Sequence, residues 1–72
     1  MKTEYAAARA ALPGPDGLRR IRENAGASRP EWAAMLSCSP QAVALWERGE
    51  TRPSGQLALR LVRLLRMLGE LE

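Results

Sequence analysis

The chain has 72 residues, 46% of them apolar, which is enough for one small hydrophobic core and excludes a multidomain assembly. One cysteine and no histidine exclude an intramolecular disulfide and the usual zinc-ligand sets, so we expect no metal site and no cofactor. Eleven basic residues, ten of them arginine, against eight acidic ones give a net charge of +3, which favours an anionic partner.

Residues 1–15 form an N-terminal extension with a weak helical pattern. Thr3 can cap a helix that runs to Leu12, just before the breaker Pro13-Gly14-Pro15. The segment is short and rich in alanine, and the sequence leaves open whether it is an ordered helix, a dimer arm or a frayed tail. No apolar run is long enough for a membrane span and the N-terminus is a poor signal peptide, so we expect a cytoplasmic protein without membrane contact.

A second helix is predicted from a cap at Asp16 to a stop at Gly26. Apolar residues at helical spacing define its inner face, namely Leu18, Ile21 and Ala25. The charged residues are predicted to lie outside, namely Arg19, Arg20, Arg22 and Glu23.

Two short helices joined by about three residues follow. Ser28 and Glu31 have the spacing of a capping box, which opens a helix that ends at Leu36. Ser39-Pro40 repeats the pattern of a cap followed by proline, and it opens a helix that runs to Gly49. After a loop, the last helix is predicted from Ser54 to Leu68. No strand-like alternation is present, so we expect an all-α bundle of four to five helices. Residues 16–72 are predicted to form the domain, and residues 1–15 an N-terminal extension that could add a short helix.

The two short helices with their tight connection suggest a helix-turn-helix, whose second helix enters the major groove of DNA. Ala33 supplies the small residue needed where the helices cross. The apolar residues that would seal the crossing are Trp32, Leu36, Val43 and Trp46. Ser37 stands where the turn needs a left-handed residue, usually glycine, at a cost of about 1 kcal/mol.

Residues 16 to 68 resemble the Xre/Cro-type helix-turn-helix family, which has a lambda-repressor-like fold. The specific part is the string Trp-Glu-Arg-Gly-Glu-x-Arg-Pro at 46–53. The chain is similar to the branch of HigA-like and MqsA-like antitoxins and to small phage or anti-CRISPR-associated repressors. It departs from the family pattern at three positions, Arg29, Trp32 and Ser37. The resemblance implies operator binding as a dimer, commonly as a repressor.

Candidate DNA contacts lie around the second motif helix. Gln41 is the best base reader, because its amide can pair bidentately with adenine, and apolar contacts to thymine methyls are expected from Pro40, Ala44 and Leu45. Phosphate contacts are expected from Ser28, Arg29, Ser39, Arg48 and Arg52. Glu47 would be repelled by phosphate, so it is predicted to pair with an arginine such as Arg20 or Arg52 or to cap a loop, and a direct base contact is the less favoured alternative. Cys38 is interpreted as a small buried hydrophobe.

The last helix carries a leucine stripe at spacings of four and three, which predicts a homodimer interface of Leu57, Leu61, Leu64 and Leu68. A second stripe runs beside it, and the sequence does not decide which stripe pairs with a twin subunit or whether both form one wide core face.

The predicted function is a sequence-specific regulator that binds double-stranded DNA, most simply a dimeric repressor of its own or a neighbouring operon. The alternative is an antitoxin that neutralises a cognate toxin, with residues 1–15 as its toxin-binding segment. An enzyme is not expected, because the sequence offers neither a histidine nor a phosphate-binding glycine loop.

Overall fold

A computed structural model of the chain describes residues 2–71, and this range contains five helices and no strand. The helices are α1 (Lys2–Ala11), α2 (Pro15–Asn24), α3 (Arg29–Leu36), α4 (Pro40–Arg48) and α5 (Gly55–Met67). The predicted all-helical class is confirmed. The chain divides into two compact units, a motif unit of Pro13–Arg52 with α2, α3 and α4, and a terminal unit that contains α1 and α5.

Helix α2 begins two residues earlier than predicted. Pro15 takes the first helical position and Gly14, in an extended conformation, takes the cap position, so the prediction of Asp16 as the cap was wrong. Proline suits this position because the first amides of a helix have no intrahelical acceptor. The helix ends before Ala25, which is exposed and not part of an inner face as predicted.

Helix α3 has the capping box that the sequence predicted. The Ser28 hydroxyl accepts a hydrogen bond from the Glu31 amide at 3.2 Å, and the Glu31 carboxylate accepts one from the Ser28 amide at 2.8 Å. The helix ends at Ser37, which adopts the left-handed conformation with φ 58° and ψ 46°. The Cys38 amide then donates to the Ala33 carbonyl at 3.0 Å, so a hydrogen bond ties the turn to the last turn of α3.

Helix α4 starts from this turn. The Ser39 hydroxyl accepts a hydrogen bond from the Ala42 amide at 3.2 Å, as predicted for an N-cap. At the other end Gly49 has φ 77°, and a Cβ atom there would lie 3.2 Å from Cγ of Pro15. Glycine at this position therefore allows both the left-handed turn and the close approach of the α4 C-terminus to the start of α2.

The motif unit buries the residues that were predicted to seal the helix crossing. Helix α4 packs against both α2 and α3. The buried apolar side chains of the three helices are Leu18, Trp32, Ala33, Leu36, Val43 and Trp46. This packing fixes the rotation of α4 about its axis, and it thereby decides which α4 residues face outward.

In the terminal unit, α1 packs against α5. Ala8 and Leu12 are buried, and the Tyr5 hydroxyl accepts a hydrogen bond from the Gln56 side-chain amide at 3.1 Å. Thus the N-terminal segment, for which the sequence left three states open, is helical from Lys2 to Ala11. The buried residues of α5 are Ala58, Leu61, Val62, Leu64 and Leu65.

Candidate nucleic-acid interface

The predicted base-reading residues of α4 differ in how exposed they are. Pro40 and Gln41 are exposed, whereas Ala44 and Leu45 are half-buried. Since Val43 points into the motif unit, Gln41, two positions before it on the helix, lies on the opposite face and is exposed. Gln41 is therefore the side chain of this group that has both exposure and paired hydrogen-bonding atoms.

The predicted phosphate contacts differ in how much of their hydrogen-bonding capacity is already used. Ser28 and Ser39 are exposed, but their hydroxyls cap α3 and α4. The Arg48 Nε donates to Glu50 at 2.7 Å, with both side chains more than half exposed. Such a surface pair contributes little energy and can exchange for a phosphate. Arg52 is exposed in the loop after α4.

A buried ion cluster, which we call the Glu47 cluster, joins the three helices of the motif unit. Glu47, on α4, accepts hydrogen bonds from Nε and Nη2 of Arg22 at 2.7 and 3.0 Å, a bidentate pair between α4 and α2. It also accepts one from Nε of Arg29, the first residue of α3, at 3.1 Å. Arg22 additionally donates from Nη1 to the Ala27 carbonyl at 2.9 Å.

Burial by itself would raise the pKa of Glu47. The hydrogen bonds from Arg22 and Arg29, together with their charges, outweigh it and hold the pKa below the ordinary value for glutamate. The same contact with Glu47 raises the pKa of Arg22. Glu47 and Arg22 are thus ionised at neutral pH.

The predicted pairing of Glu47 with arginine is confirmed, but the partners differ from those suggested, and the predicted placement of Arg22 was wrong. Glu47 does pair with arginine, but its partners are Arg22 and Arg29 rather than Arg20 or Arg52. Arg22 was placed on the outer face of α2 because it is charged, whereas it is buried. The signal that could have found it is its position four residues after Leu18, on the same face of the helix.

The leucine stripe predicted as the dimer interface is mixed in its accessibility. Leu61 and Leu64 are buried within the single chain, Leu57 is half-buried, and Leu68 is 42% exposed. Leu57 and Leu68 are therefore the stripe residues with accessible surface. Cys38, predicted to be buried, is half-buried in the turn of the motif unit.

Within residues 2–71, no helix is both long enough and apolar enough to cross a membrane. In the same range, no group of three or more Asp, Glu, Cys or His side chains is placed to hold a metal ion.

Comparison with known proteins gives one result for the family. No curated protein and no solved structure matches the chain. A family model described as a helix-turn-helix domain matches residues 16–72, which run from the second residue of α2 to beyond the end of α5. The match covers most of the chain, and it spans the turn, the capped helices and the exposed first turn of α4 described above. The chain therefore belongs to the helix-turn-helix domain family.

Proposed function

We propose that the chain is a sequence-specific regulator of transcription that binds double-stranded DNA through α4 in the major groove, and that it acts by binding rather than by catalysis. The observation that carries the proposal is the exposure of Pro40 and Gln41 on the first turn of a helix that is capped, tightly joined to α3 and fixed in rotation by Val43 and Trp46. Acting on DNA, it would work in the cytoplasm. Within its family we assign it to the Xre/Cro type.

Base reading rests mainly on Gln41. Its side-chain amide can donate a hydrogen bond to N7 of adenine and accept one from the N6 amino group, and this bidentate pattern distinguishes adenine from the other bases. Pro40, Ala44 and Leu45 offer apolar surface, which suits the methyl group of thymine. With a single polar reader, part of the specificity would come from DNA shape and from Arg48.

Phosphate contacts would come from Arg29, Arg48 and Arg52, with the capped starts of α3 and α4 at Ser28 and Ser39 adding backbone amides. These groups flank the base-reading turn in the sequence on both sides. They would set the register of α4 on the duplex and supply most of the salt-dependent affinity.

A selection of bound DNA from a random duplex library tests the proposal directly. We expect enrichment of a motif with an adenine or thymine preference at the positions that meet α4. A library that remains random after repeated rounds, with folded protein and low salt, would contradict sequence-specific binding.

We further propose that the regulator is a homodimeric repressor of its own or a neighbouring operon. Two-fold related recognition helices would read an inverted repeat whose half-site centres lie about 34 Å apart. The exposed Leu68 and half-buried Leu57 support a partner on the α5 side of the chain. Footprinting should show protection on one face of the duplex, and protection of a single unsymmetrical half-site would contradict the dimer.

An antitoxin role is the second candidate, and α1 is the observation that favours it. Helix α1 presents Ala7, Arg9 and Ala11 to solvent, so a toxin would find a helical surface there. The gene next to this one distinguishes the two roles: a neighbouring toxin gene, and loss of toxin neutralisation when residues 1–12 are deleted, would favour the antitoxin.

A further inference from the structure

The Glu47 cluster bears on how the chain would contact DNA, and the following proposal rests on the proposed function. We propose that Glu47 is a positioning residue that holds the guanidinium of Arg29 ready for a DNA phosphate. The two arginines of the cluster differ in exposure, in the nitrogens they use and therefore in their roles.

Arg22 anchors the carboxylate. Its bidentate pair with Glu47 uses Nε and Nη2, and its Nη1 is bound to the Ala27 carbonyl. The side chains of Glu47 and Arg22 are only 2% and 10% exposed. A carboxylate gripped by two parallel hydrogen bonds in a buried site cannot rotate freely, so its oxygens have fixed directions.

Arg29 is held by one of those oxygens and keeps its outer end accessible. Its Nε lies 3.1 Å from the Oε1 atom of Glu47, while 41% of its side chain is exposed. Among residues 2–71, no hydrogen bond engages its two terminal nitrogens. A guanidinium fixed through Nε still has four N–H groups on those nitrogens, which are the donors that grip a phosphate bidentately.

The charge of the cluster also suits an anion. One carboxylate faces two guanidiniums, so the three side chains together carry one net positive charge. Because Arg22 is buried and fully paired, that excess charge is available to a ligand at Arg29. Glu47 thus orders Arg29 without neutralising the cluster.

Holding the side chain in advance removes an entropic cost of binding. A free arginine loses rotamer freedom when it grips a phosphate, whereas Arg29 has already lost much of that freedom in the free protein. A lysine at the same position would keep the charge, but its single ammonium cannot bond Glu47 and also present a planar pair of donors.

The substitution Arg29→Lys separates geometry from charge, with Arg19→Lys as the control. Arg19 also pairs with one glutamate, Glu23, but on the exposed surface. On a duplex enriched by selection with the wild-type protein, we expect Arg29→Lys to weaken binding about two- to tenfold. The slope of log affinity against log salt should not change, because the charge is kept. Arg19→Lys should bind like the wild type.

A second measurement needs no variant and no DNA. In the free wild-type protein, NMR relaxation should show the Nε–H group of Arg29 to be rigid and that of the exposed Arg52 to be mobile. If Arg29 is as mobile as Arg52, or if Arg29→Lys binds as tightly as the wild type, Glu47 does not position Arg29. Both results are distinct from failure of the proposed function, which would show as no enriched duplex for the wild-type protein.

Discussion

At the scale of single residues, the motif unit depends on one buried carboxylate. Glu47 is bonded to residues 25 and 18 positions away, so it links the end of α4 to α2 and to the start of α3. Removing it would leave Arg22 charged and without a counterion in a buried site. Breaking a buried pair in this way costs about 3 to 5 kcal/mol, far more than the loss of a surface pair such as Arg48–Glu50.

The lowered pKa of Glu47 predicts how stability depends on pH. A carboxylate with a lower pKa in the folded state contributes stability that is fully present above its unfolded pKa, about 4.3, and is lost as the pH falls through the folded-state value. We expect the free energy of unfolding, measured in urea, to decrease when the pH is lowered below about 4. The Glu47→Gln variant should be less stable than the wild type at pH 7, and the gap should narrow toward pH 3. A gap of equal size at both pH values would contradict this explanation.

Base reading and phosphate binding should respond differently to substitution. Gln41→Ala should cost about 1 to 3 kcal/mol of binding free energy and relax the preference at one base position, because it removes a bidentate contact.

Arg52→Ala serves as the comparison, since it should weaken binding to all duplexes alike and lower the salt slope by about one unit. Affinities for the selected duplex and its single-base variants, measured at several salt concentrations, separate the two effects. If Gln41→Ala changes neither affinity nor base preference, α4 has been wrongly assigned as the reading helix.

At the scale of elements, the helix ends of the motif unit follow from local chemistry. The capping box at Ser28 and Glu31 and the cap at Ser39 depend on residues within three positions of each other, so the sequence predicts them. The partners of Glu47 depend on how α2 is rotated against α4, and no local pattern encodes that rotation. The exposure of Gln41 was predictable because Val43 and Trp46 fix the inner face of its own helix.

The turn between α3 and α4 offers a test of strain. Ser37 has a φ of 58°, and it is the one residue other than glycine with positive φ among residues 2–71. Ser37→Gly should therefore raise the free energy of unfolding by about 1 kcal/mol, because glycine adopts this conformation without a Cβ clash. Ala34→Gly, at an exposed position inside α3, should instead lower it by about 0.5 to 1 kcal/mol. Equilibrium urea unfolding measures both, and destabilisation by Ser37→Gly would contradict the strain argument.

At the scale of the whole molecule, the leucine stripe of α5 shows what periodicity leaves undecided. Four-and-three spacing identifies residues on one side of a helix, but it does not say whether the same chain or a second copy covers them. Leu61 has no exposed surface in the single chain, whereas Met67 and Leu68 at the end of α5 are 84% and 42% exposed. A charge at Leu61 would therefore disrupt folding, and it would not report on association.

Leu68 is the better position for testing the proposed dimer. Leu68→Glu should lower the fraction of dimer measured by sedimentation, because the new charge would lie in the proposed interface. The chain should stay folded, because the Leu68 side chain is partly exposed and not part of the core. Met35→Glu is the matched control, since Met35 is similarly exposed on α3 and lies outside the predicted stripe. With weaker dimerisation, binding to an inverted repeat should fall toward that of an isolated half-site. If the wild-type chain sediments as a monomer at micromolar concentration, both free and bound to DNA, the exposed end of α5 is not a dimer interface.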